Sequence, residues 1–310
     1  MILKNSYSFL ILTLQIFTYC KMNLSKSCQS HMKKKTGKHI VFEKTQNVLE
    51  SAFSFSQYVV NCSVLVTLIG EKHEKTFRCN SPSLTIPQYC ANSVNENQNC
   101  RVILEYYCGG ENIKADNPTQ LNSDSIKNTY IQIKKNGKEK QIIPLDYRPA
   151  FLTRYGQDDL YGDGWNKYKN HDKIIKAFIH PFWKGSDKFG MKNPHLYSPE
   201  VINFLYSYYQ EICSAFIKVE LYVRKNDAKL ETIKRNLFDA WKLVTDYFII
   251  RKILKQDNLG IDEYILIVGE AHRENIQKLF ERLNPLVQQI SNTQFGKEGN
   301  CVKLYKTFRF

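Results

Sequence analysis

The chain has 310 residues and a net charge of +14, with 44 lysine and arginine side chains against 30 aspartate and glutamate side chains. Its 43% hydrophobic and 13% aromatic residues can bury a large core, which excludes a globally disordered protein. With only 14 glycines and 9 prolines, it is not a collagen-like chain. A mean hydropathy of -0.43, with no apolar run of about 18 residues after the first twenty, excludes a polytopic membrane protein.

The N-terminus carries a short apolar stretch, residues 9–17, between Lys4 and Lys21. A basic residue followed by a short apolar region is typical of a secretory signal peptide. We therefore expect residues 1–20 to be a signal peptide and the mature protein to be secreted, with no transmembrane segment. If Met22 is the true start, the protein is cytosolic instead.

Residues 21–45 are predicted to form a basic flexible linker, and residues 46–310 a single α/β domain. Within the domain, the near-continuous apolar and β-branched run 59–69 is typical of a buried strand. This run leads directly into Gly70-Glu71-Lys72-His73. Nine cysteines are present; the eight that remain without Cys20 would suit disulfides in a secreted protein.

Two further strand signals follow. Residues 100–107 form a short apolar run with Glu105 near its end. Asn136-Gly137, between two apolar segments, predicts a β-hairpin, and the second arm of this hairpin leads to Asp146 and Arg148.

The next hundred residues differ in character. Segment 149–198 mixes aromatic, glycine and charged residues, which predicts a long loop that acts as a lid. Segment 199–256 is predicted to be a helical insert, with one helix over 200–219 and another over 230–254.

A second copy of the first motif lies near the C-terminus. The apolar run 263–268 leads into Gly269-Glu270-Ala271-His272, and residues 275–283 have helical apolar spacing. A random chain of this composition would contain about 0.02 matches to the pattern G-E-x-H. Two matches, each after a strand pattern, therefore indicate a shared role.

Strands separated by helices predict an α/β fold with a mostly parallel central sheet flanked by helices. Ligands of such sheets bind beyond the carboxyl ends of the strands, where glycine permits a sharp turn. Glutamate and histidine side chains placed there can hold a metal or move protons near neutral pH. The candidate cluster comprises Glu71, His73, Glu105, Asp146, Arg148, Glu270 and His272.

The chain resembles the superfamily that includes the TraB/TIKI proteins, the ChaN-like haem-binding proteins and the erythromycin esterases. It is also similar to uncharacterised proteins of large DNA viruses that carry paired motifs. The resemblance rests on LIGEKHE (68–74), VILEYY (102–107) and IVGEAHREN (267–275), in that order. Glu270 departs from the pattern, since many members have a small residue there. The lid segment and the helical insert match none of the motifs on which the resemblance rests.

The resemblance implies one of two hydrolytic chemistries on a peptide, a protein or a small ester. In the TIKI-like chemistry, His73, His272 and Glu105 would bind a divalent metal such as Zn, Mn or Co, and Glu71 or Glu270 would be the base. In the esterase-like chemistry, no metal is needed. His73 would take a proton from water, Glu71 or Glu105 would orient that water, and His272 or Arg148 would stabilise the oxyanion.

Two alternatives without catalysis remain open. Each motif histidine could simply pair with a local carboxylate. The protein could then be a secreted effector or binding protein of the same fold that has lost activity, with haem or metal binding possible. The lysine runs 33–35 and 134–140 could bind an acidic partner. No nucleic-acid-binding motif accompanies these lysines, so specific nucleic-acid binding is not expected.

Overall fold

The computed structural model describes residues 40–50, 54–61, 64–71, 83–107, 124–146, 151–152, 165, 168, 170–191, 193–225, 227–255, 260–294 and 301–309. The predicted signal peptide lies outside the described residues, and so do His73 and Arg148.

The described strands form two sheets. Their bounds are β1 Ile40–Glu50, β2 Ser54–Val60, β3 Val64–Glu71, β4 Ser83–Thr85, β5 Cys100–Tyr107, β6 Ile142–Asp146, β7 Glu263–Gly269, β8 Val287–Gln294 and β9 Cys301–Arg309. The large sheet has the order β6-β5-β7-β3-β2-β8, and the small sheet has the order β4-β1-β9. Strands β6, β5, β7 and β3 run parallel to one another. Strand β2 pairs antiparallel with β3, and β8 pairs antiparallel with β2. The sheet is therefore mixed and mostly parallel.

The helices are α1 Ile86–Glu96, α2 Asp124–Lys135, α3 His171–Ile174, α4 His180–Lys184, α5 Pro199–Val223, α6 Leu230–Ile253 and α7 Glu270–Arg282. The predicted pair of long helices in the insert is confirmed as α5 and α6. Within the described ranges, no helix is long and apolar enough to cross a membrane.

The large sheet is covered on both faces, which explains why its central strands are apolar at consecutive positions. Leu68 and Leu266 pack into a core with α3–α7, whereas Ile69 and Ile267 pack into a second core with α1 and α2. Successive side chains of a strand point to opposite faces, so both faces of β3 and β7 need apolar residues. The prediction of a mostly parallel sheet flanked by helices is confirmed at this level of detail.

The two G-E-x-H copies begin on neighbouring parallel strands. Gly70 lies opposite Val268 and Glu71 lies opposite Gly269, so the copies are offset by one residue. Copy one keeps its glycine and glutamate inside β3, whereas copy two ends β7 at its glycine and starts α7 at its glutamate. The same four-residue pattern therefore has a different local structure at each site.

The predicted hairpin at Asn136-Gly137 is wrong. The segment before it is helix α2, and Gly137 ends that helix with a φ of 70°. The N–H of Gly137 donates to the carbonyl of Lys134, and the N–H of Lys138 donates to the carbonyl of Ile133. These bonds form a Schellman motif, in which glycine adopts the left-handed conformation for the same reason as in a hairpin turn.

The described part of segment 149–198 differs from the predicted loop or lid. A π-helical turn, Ile175–Ile179, joins α3 to α4, and Phe178 and Phe182 are buried in the core. The indole N–H of Trp241 on α6 donates to the carbonyl of Phe178 at 3.2 Å. The predicted linker 21–45 is also too long, because β1 already begins at Ile40.

Candidate functional site

His272 is the centre of a buried polar network at the carboxyl edge of the large sheet. It is the third residue of α7, directly after β7, and only 4% of its surface is exposed. Its Nδ1 lies 2.5 Å from Oδ1 of Asp246, and its Nε2 lies 3.2 Å from Oε1 of Glu105. Both ring nitrogens therefore face carboxylates.

Glu105 reaches His272 from the neighbouring strand. Strand β5 pairs parallel with β7, with Leu104 opposite Ile267, so both strands end at the same edge. The second carboxylate oxygen of Glu105 accepts the N–H of Gly269 at 3.0 Å. The junction between β7 and α7 thus orients Glu105 as well as His272.

Asp246 was not predicted from the sequence. It lies on α6 within the fully buried run 244–250 and is itself 0% exposed. Its Oδ2 accepts from the side-chain amide of Asn275, which also donates to the hydroxyl of Tyr208 at 2.9 Å. An acidic residue inside an apolar helical run is the sequence signal that could have revealed it, since buried charges are almost always paired.

The two carboxylates determine the protonation state of His272. Burial by itself lowers the pKa of this imidazole, but the charges of Glu105 and Asp246 and their hydrogen bonds outweigh burial and raise its pKa to about 10. His272 is therefore an imidazolium at neutral pH, and both of its N–H groups donate.

Glu270 lies in a separate cluster. Its carboxylate accepts from the hydroxyl of Ser54 and from Nε of Arg273, the latter at 2.7 Å. The carboxylate occupies the space beside Gly70, where a Cβ would overlap it. The structure thus links Glu270 to copy one of the motif and not to His272.

The remaining predicted residues divide into three groups. Glu71 is buried, and strand alternation puts it on the same face of β3 as Ile69, opposite to the face that α6 and α7 cover. Asp146 ends β6 opposite Tyr107. His73 and Arg148 lie outside the described residues, so their predicted place in the cluster stays a prediction.

Two of the three predicted metal ligands, Glu105 and His272, lie in contact with each other. Glu105 and His272 offer an oxygen and a nitrogen at the same point, and a carboxylate on the far nitrogen, such as Asp246, is the usual outer partner of a metal-bound histidine. Across the residues that the structure describes, no three His, Cys, Asp or Glu side chains are grouped to hold a metal ion.

Comparisons of the chain with protein-family models, with curated proteins and with solved structures find no match.

Proposed function

We propose that the protein is a hydrolase that uses Glu105 and His272 to cleave a peptide or ester bond with water. The observation that carries this proposal is the 3.2 Å contact between Nε2 of His272 and Oε1 of Glu105. This contact lies where β5 and β7 end, and ligands of open α/β sheets bind at that edge.

The pair has the groups that acid–base hydrolysis needs. Glu105, a carboxylate, takes a proton from water, and the resulting hydroxide attacks the substrate carbonyl carbon. When the carbon–oxygen or carbon–nitrogen bond breaks, the imidazolium of His272 donates its Nε2 proton to the leaving group. Because the two side chains are in direct contact, the proton on Glu105 can then pass to Nε2, which restores the starting state.

The order of the motifs also supports the proposal. The chain resembles the TraB/TIKI, ChaN-like and erythromycin-esterase superfamily in having a strand with a glutamate near its end between its two G-E-x-H copies. Here the strands that carry those three motifs, β3, β5 and β7, are neighbours in one parallel set.

The metal-dependent form of this proposal uses the same pair. Glu105 and His272 would bind the ion, with His73 as the third ligand that the resemblance implies. When bound, such an ion would lower the pKa of a coordinated water. His272 would have to lose its Nε2 proton first, so binding would release a proton to solvent.

A second candidate function is a binding protein or effector without catalysis. It is favoured by the complete pairing of His272, whose two nitrogens both face carboxylates in a nearly buried position. In that case the Asp246–His272–Glu105 network would stabilise the fold and do no chemistry.

The test is a screen of ester and peptide substrates, run with EDTA and with added Zn, Mn or Co. We expect the wild type to hydrolyse at least one class, and Glu105→Gln and His272→Gln to lower kcat by about 10²- to 10⁴-fold. His195→Gln is the matched control, because His195 is exposed. Elemental analysis of protein purified without chelator gives an independent measure of metal content.

Two results would reject the hydrolase proposal. One is no hydrolysis of any substrate under any of these conditions. The other is activity that survives both Glu105→Gln and His272→Gln. If the wild type is folded but Glu105→Gln and His272→Gln are both unfolded, the binding protein or effector is favoured.

A further inference from the structure

We infer that Asp246 is a positioning residue, supplied by the helical insert, that holds His272 so that its Nε2 faces Glu105. This inference rests on the proposed function, because it assigns a role in the same site. It gives the helical insert, which contains none of the motifs that carry the resemblance, a direct part in that site.

Asp246 acts through His272 and not on a substrate. Its carboxylate is fully buried, and both oxygens are engaged, Oδ1 by Nδ1 of His272 and Oδ2 by the amide of Asn275. An acceptor fixed on one ring nitrogen decides where the other nitrogen points. A reactive histidine oriented by a third group is a recurring arrangement in hydrolytic sites.

Three helices hold this acceptor in place. His272 and Asn275 are three residues apart on α7 and therefore share one face of that helix, which Asp246 of α6 contacts through both oxygens. The amide nitrogen of Asn275 has two N–H groups, and its two acceptors are Asp246 and Tyr208 of α5. Rotation of the Asp246 carboxylate would break a hydrogen bond on each side.

The cost of burying Asp246 is a further argument for a role beyond packing. Its helix is buried on all sides over residues 244–250, where an apolar residue would avoid the penalty of removing a carboxylate from water. Replacing a buried ion pair by packed apolar residues is often neutral or stabilising. A charge retained here is therefore better explained by the orientation of His272 than by stability.

The test combines kinetics with NMR of protein labelled with nitrogen-15 at histidine. Asp246→Asn keeps the size of the side chain but removes its charge. We expect kcat to fall by about 10²- to 10⁴-fold with little change in KM, because the buried side chain does not touch the substrate. Thr245→Val is the matched control: Thr245 is the adjacent, fully buried residue, and its hydroxyl has no hydrogen-bond partner among the described residues.

The NMR measurement does not depend on activity. The wild type should show a strongly downfield Nδ1–H resonance for His272, assigned by its absence from His272→Gln. In Asp246→Asn this resonance should move upfield or disappear, whereas Thr245→Val should leave it in place. If this pattern holds and no hydrolysis is found, the positioning role is supported and the hydrolase proposal fails.

Two outcomes would overturn the inference. One is a wild-type His272 without a hydrogen-bonded Nδ1–H, which can be seen even if Asp246→Asn does not fold. The other is a folded Asp246→Asn variant with wild-type kcat and an unchanged resonance.

Discussion

The glycine of the first G-E-x-H copy makes room for the glutamate of the second. A Cβ at Gly70 would overlap the carboxylate of Glu270 and the hydroxyl of Ser54, and it would lie 2.8 Å from Cδ of Arg273. Gly269, the equivalent glycine of copy two, differs, because its Cβ would lie 3.7 Å from Oε2 of Glu105. The two glycines therefore have unequal steric roles.

We predict that Gly70→Ala lowers the free energy of unfolding by about 1–3 kcal/mol, the usual cost of overpacking. Gly269→Ala, where the added methyl makes an ordinary contact, should cost less. Removing the Glu270 carboxylate relieves the closer of the two overlaps, so Gly70→Ala/Glu270→Ala should be more stable than the sum of the single changes predicts. Urea unfolding of the wild type, Gly70→Ala, Glu270→Ala and the double variant measures this coupling, with Gly269→Ala measured beside them; additive effects would contradict the contact.

The residues of the site differ in how far sequence could predict them. Glu105 and His272 were expected at one edge because Glu105 lies near the end of one strand pattern and His272 closely follows another, and parallel strands end together. Glu270 was assigned to the same cluster, but the direction of its side chain depends on Ser54 and Arg273, which no strand pattern predicts. Asp246 was missed because it comes from a helix, 26 residues before its partner.

At the scale of elements, strand patterns were more informative than turn signals. The continuous apolar runs of β3 and β7 correctly predicted buried parallel strands. A strand of a sheet that is covered on both faces needs apolar residues at consecutive positions. The hairpin predicted from Asn136-Gly137 was wrong because the C-terminus of a helix and a hairpin turn both need a residue in the left-handed conformation. The glycines and charges of segment 149–198 likewise suggested a loop, whereas its buried aromatic residues, among them Phe178, Phe182 and Phe189, form part of the core.

We predict that Phe182→Ala destabilises the protein by about 3–5 kcal/mol, which is the cost of truncating a buried aromatic residue. Phe182 of α4 stacks on Phe216 of α5, with ring centroids 3.9 Å apart and planes 4° apart. Tyr206→Ala, on the exposed side of α5, should change stability by no more than about 0.5 kcal/mol. Thermal and urea unfolding measure both effects, and a Phe182→Ala cost as small as that of Tyr206→Ala would mean that this segment is a lid after all.

At the scale of the whole molecule, two electrostatic effects oppose one another as the pH rises. The net charge of +14 creates self-repulsion that falls as lysines lose their protons. The Asp246–His272–Glu105 network works in the other direction. It raises the pKa of His272 from 6.5 to about 10 in the folded state, so the folded protein holds one more proton than the unfolded chain between those values.

The stability from His272 is therefore fully present below pH 6.5 and is lost as the pH rises through about 10. The matched control is Glu105→Gln/Asp246→Asn/His272→Gln, which removes all three ionisable groups of the network and keeps the other charges. Between pH 6.5 and 10 the free energy of unfolding of the wild type should fall relative to this variant, by at most about 1.4 kcal/mol per pH unit. Urea unfolding across that range measures the difference, and parallel curves would show that His272 is not held as an imidazolium.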